Sequence, residues 1–161
     1  MKKKITFLTV LFFVLFINSC KNNDYLLLPD TSIVCSKVNN VLTETLLPNY
    51  MSNGDKYVFI FYIAGCEVCE QELSIWKKIF KRNPNIKPIL IVNCQYPKVY
   101  MVYALKEKTF FPTVIYKNYD LLVKNNLSKD LAYLIVDKDL KILYKSKIID
   151  EKKVLRVLNT K

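Results

Sequence analysis

The residues with the most chemical content are two cysteines three positions apart, in Cys66-Glu67-Val68-Cys69. They follow an apolar run, Tyr57 to Tyr62, and a turn at Ala64-Gly65. They also begin a stripe of Cys66, Cys69, Leu73, Trp76 and Phe80 at steps of three and four, which predicts a helix starting at the first cysteine. At a helix N-terminus, unpaired N–H groups and the backbone dipole favour a thiolate. The second cysteine lies one turn along, within reach of a disulfide and partly covered. This assigns Cys66 as the attacking nucleophile and Cys69 as the resolving thiol of thiol–disulfide exchange. The same spacing also serves as half of a zinc site or as a structural disulfide. Zinc needs two more ligands, and in a chain without histidine they would have to come from Cys35, Cys94 or carboxylates. The lack of histidine also removes imidazole ligation of haem or copper and any Ser-His or Cys-His catalytic pair. Neither a metal nor another cofactor is expected. Glu67 has two readings: it opposes a nearby thiolate and offsets some of the helix effect, or it simply caps the first helical turn.

The elements that must hold this pair follow from patterning. Tyr57 to Tyr62 is continuously apolar, β-branched and aromatic, as in a strand buried on both faces, and so is Ile89 to Val92. A helix of about 15 residues between them, closed by Asn83-Pro84, makes a right-handed parallel βαβ unit. Pro97 to Lys108 reads as a second helix, Phe111 to Tyr116 as a short strand and Asp120 to Val123 as a helical turn. Tyr133 to Val136 reads as a strand that turns at Asp137-Lys138-Asp139 into an antiparallel partner, Leu140 to Lys145, and Lys152 to Leu158 as a closing helix. Before all of these, Val34, Val38, Val41, Leu42 and Leu46 recur at three-to-four spacing, which predicts a helix from Thr31, capped by Thr31 or Ser32. The order implies an α/β fold, a mixed parallel/antiparallel sheet with helices on both faces.

Cys94 follows the second βαβ strand, at the sheet edge where α/β ligand sites form, so it reads as a third redox thiol or as a small core residue. Cys35, on the predicted N-terminal helix, is structural or free, and a Cys35–Cys94 disulfide stays open. Trp76 reads as core and the tyrosines as sheet packing.

The N-terminus carries an export signal. Met1-Lys2-Lys3-Lys4 is a basic start, Ile5 to Ile17 is apolar but short for a bilayer span, and Ile17-Asn18-Ser19-Cys20 follows. The last four resemble the lipobox of bacterial lipoproteins, with Asn18 a departure from its usual small residue. The resemblance implies lipidation of Cys20, which becomes the first mature residue. The expected division is a signal at 1–19, a tether at 20–30 and one domain at 31–161, in a lipid-anchored protein of the bacterial envelope facing the periplasm or the exterior. The formal charge of +11 falls to +8 without Lys2, Lys3 and Lys4. The lysines are scattered, so the charge fits a solvated surface near anionic lipid, and no nucleic acid is expected as a partner.

From Tyr57 to Lys145 the chain resembles the thioredoxin-like superfamily, most of all its membrane-tethered TlpA/ResA-type branch. The resemblance is carried by the apolar strand, Gly65-Cys66-Glu67-Val68-Cys69, the stretch Phe111-Pro112-Thr113-Val114, and Leu134-Ile135-Val136-Asp137 before a hairpin. It implies that Cys66 attacks substrate disulfides and Cys69 resolves, with envelope protein thiols and a membrane electron donor as partners. Two positions depart from the family. Ala64-Gly65 stands where a Trp usually precedes the first cysteine. The cis-proline loop, which faces the disulfide, has no proline: its equivalent is Ser128-Lys129-Asp130-Leu131-Ala132. Asp130, Leu131 and Ala132 are therefore expected opposite the pair, in a trans loop, since a non-proline cis bond costs about 2.5–4 kcal/mol. Ile63 occupies the place of the Thr or Ser that peroxiredoxins need, which disfavours peroxide reduction. The expected activity is a membrane-anchored thiol–disulfide oxidoreductase; the alternative is a redox-inactive lipoprotein that binds a protein or peptide through the altered loop.

Overall fold

The structure is a computed structural model that describes residues 24–28, 32–38, 41–52, 54–106, 111–116 and 120–160. The segment expected to be a signal, and Cys20, lie outside the described residues. Seven strands form one sheet in the order β2-β1-β5-β4-β3-β6-β7. The βαβ unit is β3 (Lys56–Ile63), α2 (Glu67–Arg82) and β4 (Lys87–Asn93), with β3 and β4 parallel and Phe59 opposite Ile89. Strand β5 (Thr113–Tyr116) continues parallel to β4, while β6 (Tyr133–Asp137) lies antiparallel to β3 and β7 (Ile142–Ser146) antiparallel to β6. Helices α3 (Pro97–Lys106), α4 (Asp120–Lys124) and α5 (Glu151–Asn159) complete the second half.

Period-two alternation along β3 divides the core into two layers. Tyr57 and Phe59 face one, with Leu47 and Met51 of α1 (Leu47–Met51) and Leu121 and Leu122 of α4. Val58, Ile60 and Tyr62 face the other, with Trp76, Ile79 and Phe80 of α2 and Val154 of α5. Helices therefore cover both faces, as the element order implied. Fully burying one such side chain is worth about 1.5–3 kcal/mol, so the two layers together hold β3 at the centre of the sheet.

The N-terminal segment differs from the helix expected there. Residues 33–46 form a β-hairpin, β1 (Ile33–Val38) against β2 (Val41–Leu46), with Cys35 opposite Glu44. The valines and leucines sit at helical spacing, but Ile33, Val34, Val38, Val41, Thr43 and Thr45 are β-branched and favour a pleated surface. Ile33 is exposed while Val34 is buried, and the Ser36 and Thr43 hydroxyls meet across the strands at 2.8 Å. Ser32, expected as a helix cap, instead hydrogen-bonds the Tyr116 hydroxyl at 2.7 Å. Cys35 is therefore a strand residue, paired with Thr113 of β5.

Residues 24–28 lie on the domain. Tyr25 bridges Lys141, the Leu26 N–H donates to the Leu140 carbonyl at 2.8 Å, and Leu26 is buried in the α1–α4 layer. Buried Asn125 clamps the next residue: its carboxamide oxygen accepts from the Leu27 N–H and its Nδ2 donates to the Leu27 carbonyl at 2.9 Å.

Candidate functional site

The site is built where β3 ends and α2 begins. The Ala64 N–H donates to the Asn93 carbonyl of β4 at 3.2 Å, fixing the start of the turn, and the Cys66 N–H closes it on the Ile63 carbonyl at 3.1 Å. Between them Gly65 has φ +84°, a left-handed conformation that L side chains rarely adopt. Cys66 is the N-cap of α2 in extended conformation, and the Cys69 backbone N–H donates to its sulfur at 3.3 Å. The Cys69 thiol also donates to Cys66 Sγ at 2.7 Å. Both cysteines are free and half-buried.

These bonds treat the two thiols unequally. The Cys66 thiol is held below its ordinary value of 9.0, first by the hydrogen bond from the Cys69 thiol and then by the Cys69 N–H. Burial, followed by the same thiol bond seen from the donor's side, pushes Cys69 up to about 11. Cys66 is thus the more readily ionised of the two, the inequality expected for a nucleophile and its resolving partner. The acidic group acting on both is Glu72, whose charge opposes ionisation of each, and burial raises Glu72 itself. The sequence singles out Glu67, between the cysteines, for this role; the structure gives it to Glu72, three residues after Cys69 on the same helix.

A cavity of about 230 Å³ opens beside Cys69, lined among others by Val68, Glu72, Asp130, Leu131 and Ala132. Asp130, Leu131 and Ala132 share this cavity with Cys69; Cys66 does not line it. No peptide bond among the described residues is cis. The Leu131 N–H, a donor that a proline would lack, bonds the Ser128 carbonyl at 3.1 Å. Ala132 joins the loop to the sheet, donating to Ser146 at 3.0 Å and accepting from the Phe61 N–H at 2.9 Å. Asp130 pairs with Lys147 at 2.8 Å, both largely exposed.

A second cavity, of about 690 Å³, lies on the other side of the turn, bounded by Tyr62, Gly65, Cys94, Tyr96, Tyr100 and Phe111 among others. The Tyr62 hydroxyl donates to the Glu70 carboxylate, and burial holds the phenol above its ordinary range. Cys94 is buried in the layer against which Cys69 packs, and its N–H donates to the Tyr116 carbonyl at 3.3 Å. Cys35 sits two strands away from β4, at the level of Leu90 through Thr113. At about 4.8 Å per strand and 3.3 Å per residue, it is more than 10 Å from Cys94, well beyond disulfide reach. Among the described residues no group of three or more His, Cys, Asp or Glu could hold a metal ion, and no helix is long and apolar enough to cross a membrane.

No family model matches the chain, and no curated protein matches it significantly in sequence. Solved structures do. A thiol:disulfide interchange protein from Bacteroides sp. is similar at a TM-score of 0.60 and 16% identity, over 84% of this chain and 90% of that one. StoA from Bacillus subtilis matches at 0.58 and 14%, over 81% and 98%. The pneumococcal exposed lipoprotein thioredoxin Etrx1 from Streptococcus pneumoniae matches at 0.56 and 14%, over 79% and 97%. At these identities the likeness establishes the fold, which is thioredoxin-like.

Proposed function

We propose that the protein is a thiol–disulfide oxidoreductase acting on protein disulfides of the bacterial envelope, anchored through a lipid on Cys20. The observation that carries the reading is the short Cys69-to-Cys66 thiol contact at the α2 N-terminus, which makes one sulfur a better anion and holds the other within bonding reach. In the reducing direction, the Cys66 thiolate attacks a substrate disulfide, forming a mixed disulfide and expelling one substrate thiolate. Cys69 then loses its proton and attacks Cys66 Sγ. The intramolecular disulfide forms, the second substrate thiolate leaves, and two electrons have passed to the substrate. A membrane electron donor would restore the dithiol by the reverse exchange. Glu72 is the carboxylate of that cavity that acts on Cys69, while Asp130 is paired with Lys147, and Glu72 is our assignment for accepting that proton. Asp130, Leu131 and Ala132 supply the opposite wall, where a substrate segment next to its cysteine would lie. The solved structures of similar fold include proteins described as thiol–disulfide oxidoreductases, one of them a lipoprotein, which agrees with this reading.

The test is turnover of a scrambled or disulfide-bonded protein substrate by the mature domain. Cys66→Ser is expected to abolish turnover, and Cys69→Ser to accumulate the mixed disulfide at Cys66. Turnover that survives Cys66→Ser would remove Cys66 as the nucleophile, and a native domain that turns over no disulfide would leave the redox-inactive binding module as the function.

A further inference from the structure

We propose that the groove between α2 and α3 receives the segment adjoining a substrate's reactive cysteine, and that it selects segments with an apolar or aromatic residue midway and a carboxylate four or five residues from that cysteine. This rests on the reading of Cys66 as the nucleophile.

The groove is the cavity of about 690 Å³. Tyr62 of β3, Leu90 of β4 and Thr113 of β5 contribute to its floor. Glu70, Leu73 and Lys77, at helical steps of three and four, form the α2 wall, and Val99, Tyr103 and Lys106 the α3 wall. β3 and β4 end level, with Ile63 opposite Asn93, so both helices leave from the same end of the sheet. Each joins two parallel strands and must return to their starting end. At 1.5 Å per residue, Lys77 lies about 15 Å along α2 from Cys66, and Lys106 about 15 Å along α3 from Tyr96. Ala64 and Gly65, directly before Cys66, border the groove at its mouth. An extended chain entering there, at about 3.3 Å per residue, reaches the two lysines in four or five residues.

α3 lacks the cover its composition calls for. Its only charged residues are Lys98 and Lys106, yet none of its ten residues is buried. Tyr96, Val99 and Tyr103, at steps of three and four, are 64%, 54% and 66% exposed. A helix that is apolar on every side normally lies in a core, and an exposed apolar patch edged by charge marks an interaction surface. Two features say what covers this one. The patch is continuous with the turn that presents Cys66, so a chain engaged by that sulfur passes over it. The charge of the lining is also polarised. At the shallow end the Glu70 carboxylate accepts from the Tyr62 hydroxyl, and the deep end holds Lys77 and Lys106, the latter over the Tyr103 ring at 5.8 Å from its centroid. A segment with its cysteine at one end, an apolar middle and a carboxylate at the other end matches both features. On one side of its cysteine the substrate enters this groove; on the other it runs toward Asp130, Leu131 and Ala132.

The experiment uses the full chain in detergent and the symmetric disulfides of short peptides. The parent is Cys-Gly-Gly-Phe-Gly-Glu, made also in reverse order. In a single turnover the protein dithiol becomes a disulfide and two peptide thiols are released. For the preferred order, replacing the peptide Phe by Ser should lower the second-order rate constant about tenfold or more, and replacing its Glu by Lys about threefold. The double variant Val99→Ser, Tyr103→Ser, at exposed positions that the fold does not need, should bring the Phe and Ser peptides within about twofold. Lys106→Glu should reverse the Glu-over-Lys preference. With Cys69→Ser the mixed disulfide is trapped, and a benzophenone at the peptide's Phe position should crosslink to residues 96–106. Rate constants within about twofold for all peptides in both orders, or crosslinks confined to residues 128–132, would overturn the groove. Reduction of hydroxyethyl disulfide, too small to reach α3, reports on the dithiol alone: a chain that reduces it without discriminating among peptides overturns only the groove, and one that reduces neither overturns the dithiol reading as well.

Discussion

In the reduced protein, Cys66 should be alkylated well before Cys69 at neutral pH, and the margin follows from the site. A thiol titrating at about 11 is ionised at pH 7 to about one part in ten thousand, whereas one at the ordinary 9.0 is ionised to about one part in a hundred. Because Cys66 lies below 9.0, its thiolate outnumbers that of Cys69 by more than about 100-fold at pH 7. The less basic thiolate is the weaker nucleophile. A Brønsted slope of about 0.4–0.5 over two pH units gives back about six- to tenfold. The net preference for Cys66 is therefore at least about tenfold, before counting the cover over Cys69. The assay is substoichiometric iodoacetamide labelling, with each cysteine peptide quantified by mass spectrometry from pH 5 to 10. Cys66 labelling should rise along a titration centred below that of a free thiol, and Cys69 should follow only at alkaline pH. Equal labelling, or Cys69 first, would refute the assignment of roles.

Three further outcomes are expected. Glu72→Gln removes the charge that opposes both thiolates, so the Cys66 labelling profile should move to lower pH, with the same direction at Cys69; a profile that stays put would remove Glu72 from the site. Gly65→Ala meets no atom within 4 Å but must hold φ +84°, so a loss of about 1–2 kcal/mol in a urea titration is expected from backbone strain alone. Asn125→Ala leaves the Leu27 backbone groups and the buried Leu121 carbonyl without the carboxamide, which bonds the latter at 2.8 Å; a loss of about 2 kcal/mol is expected, read as a fall in denaturation midpoint by circular dichroism.

The sheet and helices from Tyr57 onward were legible because their patterns had no competing solution. An apolar run bounded by Gly54 and the Ala64-Gly65 turn has to be a buried strand, and a three-to-four stripe ended by Asn83-Pro84 has to be a helix. Residues 31–46 were not legible, since their apolar positions satisfy helical spacing while their β-branching favours strands. Pairing of β1 with β5 decided between them, and that contact spans more than seventy residues. Within the site, the cysteine spacing singled out two sulfurs that the fold brings together, and the family resemblance singled out a loop that shares a cavity with Cys69. Glu72 was obscured because a glutamate on a helix is normally a solvent-facing residue; only burial beside Cys69 gives it another role. The bond from Leu131 to Ser128 was equally hidden, because backbone donors leave no trace in residue type.

Trp76, the single tryptophan, is fully buried, with Phe80 stacked at 5.4 Å and Tyr133 edge-on at 4.9 Å. Its indole N–H lacks a hydrogen-bond partner, so its emission is tuned by aromatic rings and not by a polar contact. The chain thereby carries a one-sided optical gauge. Its fluorescence follows the helix that bears the dithiol, and is blind to the opposite layer, where the N-terminal segment is pinned by Asn125. Loss of intrinsic fluorescence and loss of circular dichroism should therefore coincide only if the two layers unfold together, and any gap between them would time the release of one half of the sheet's cover before the other.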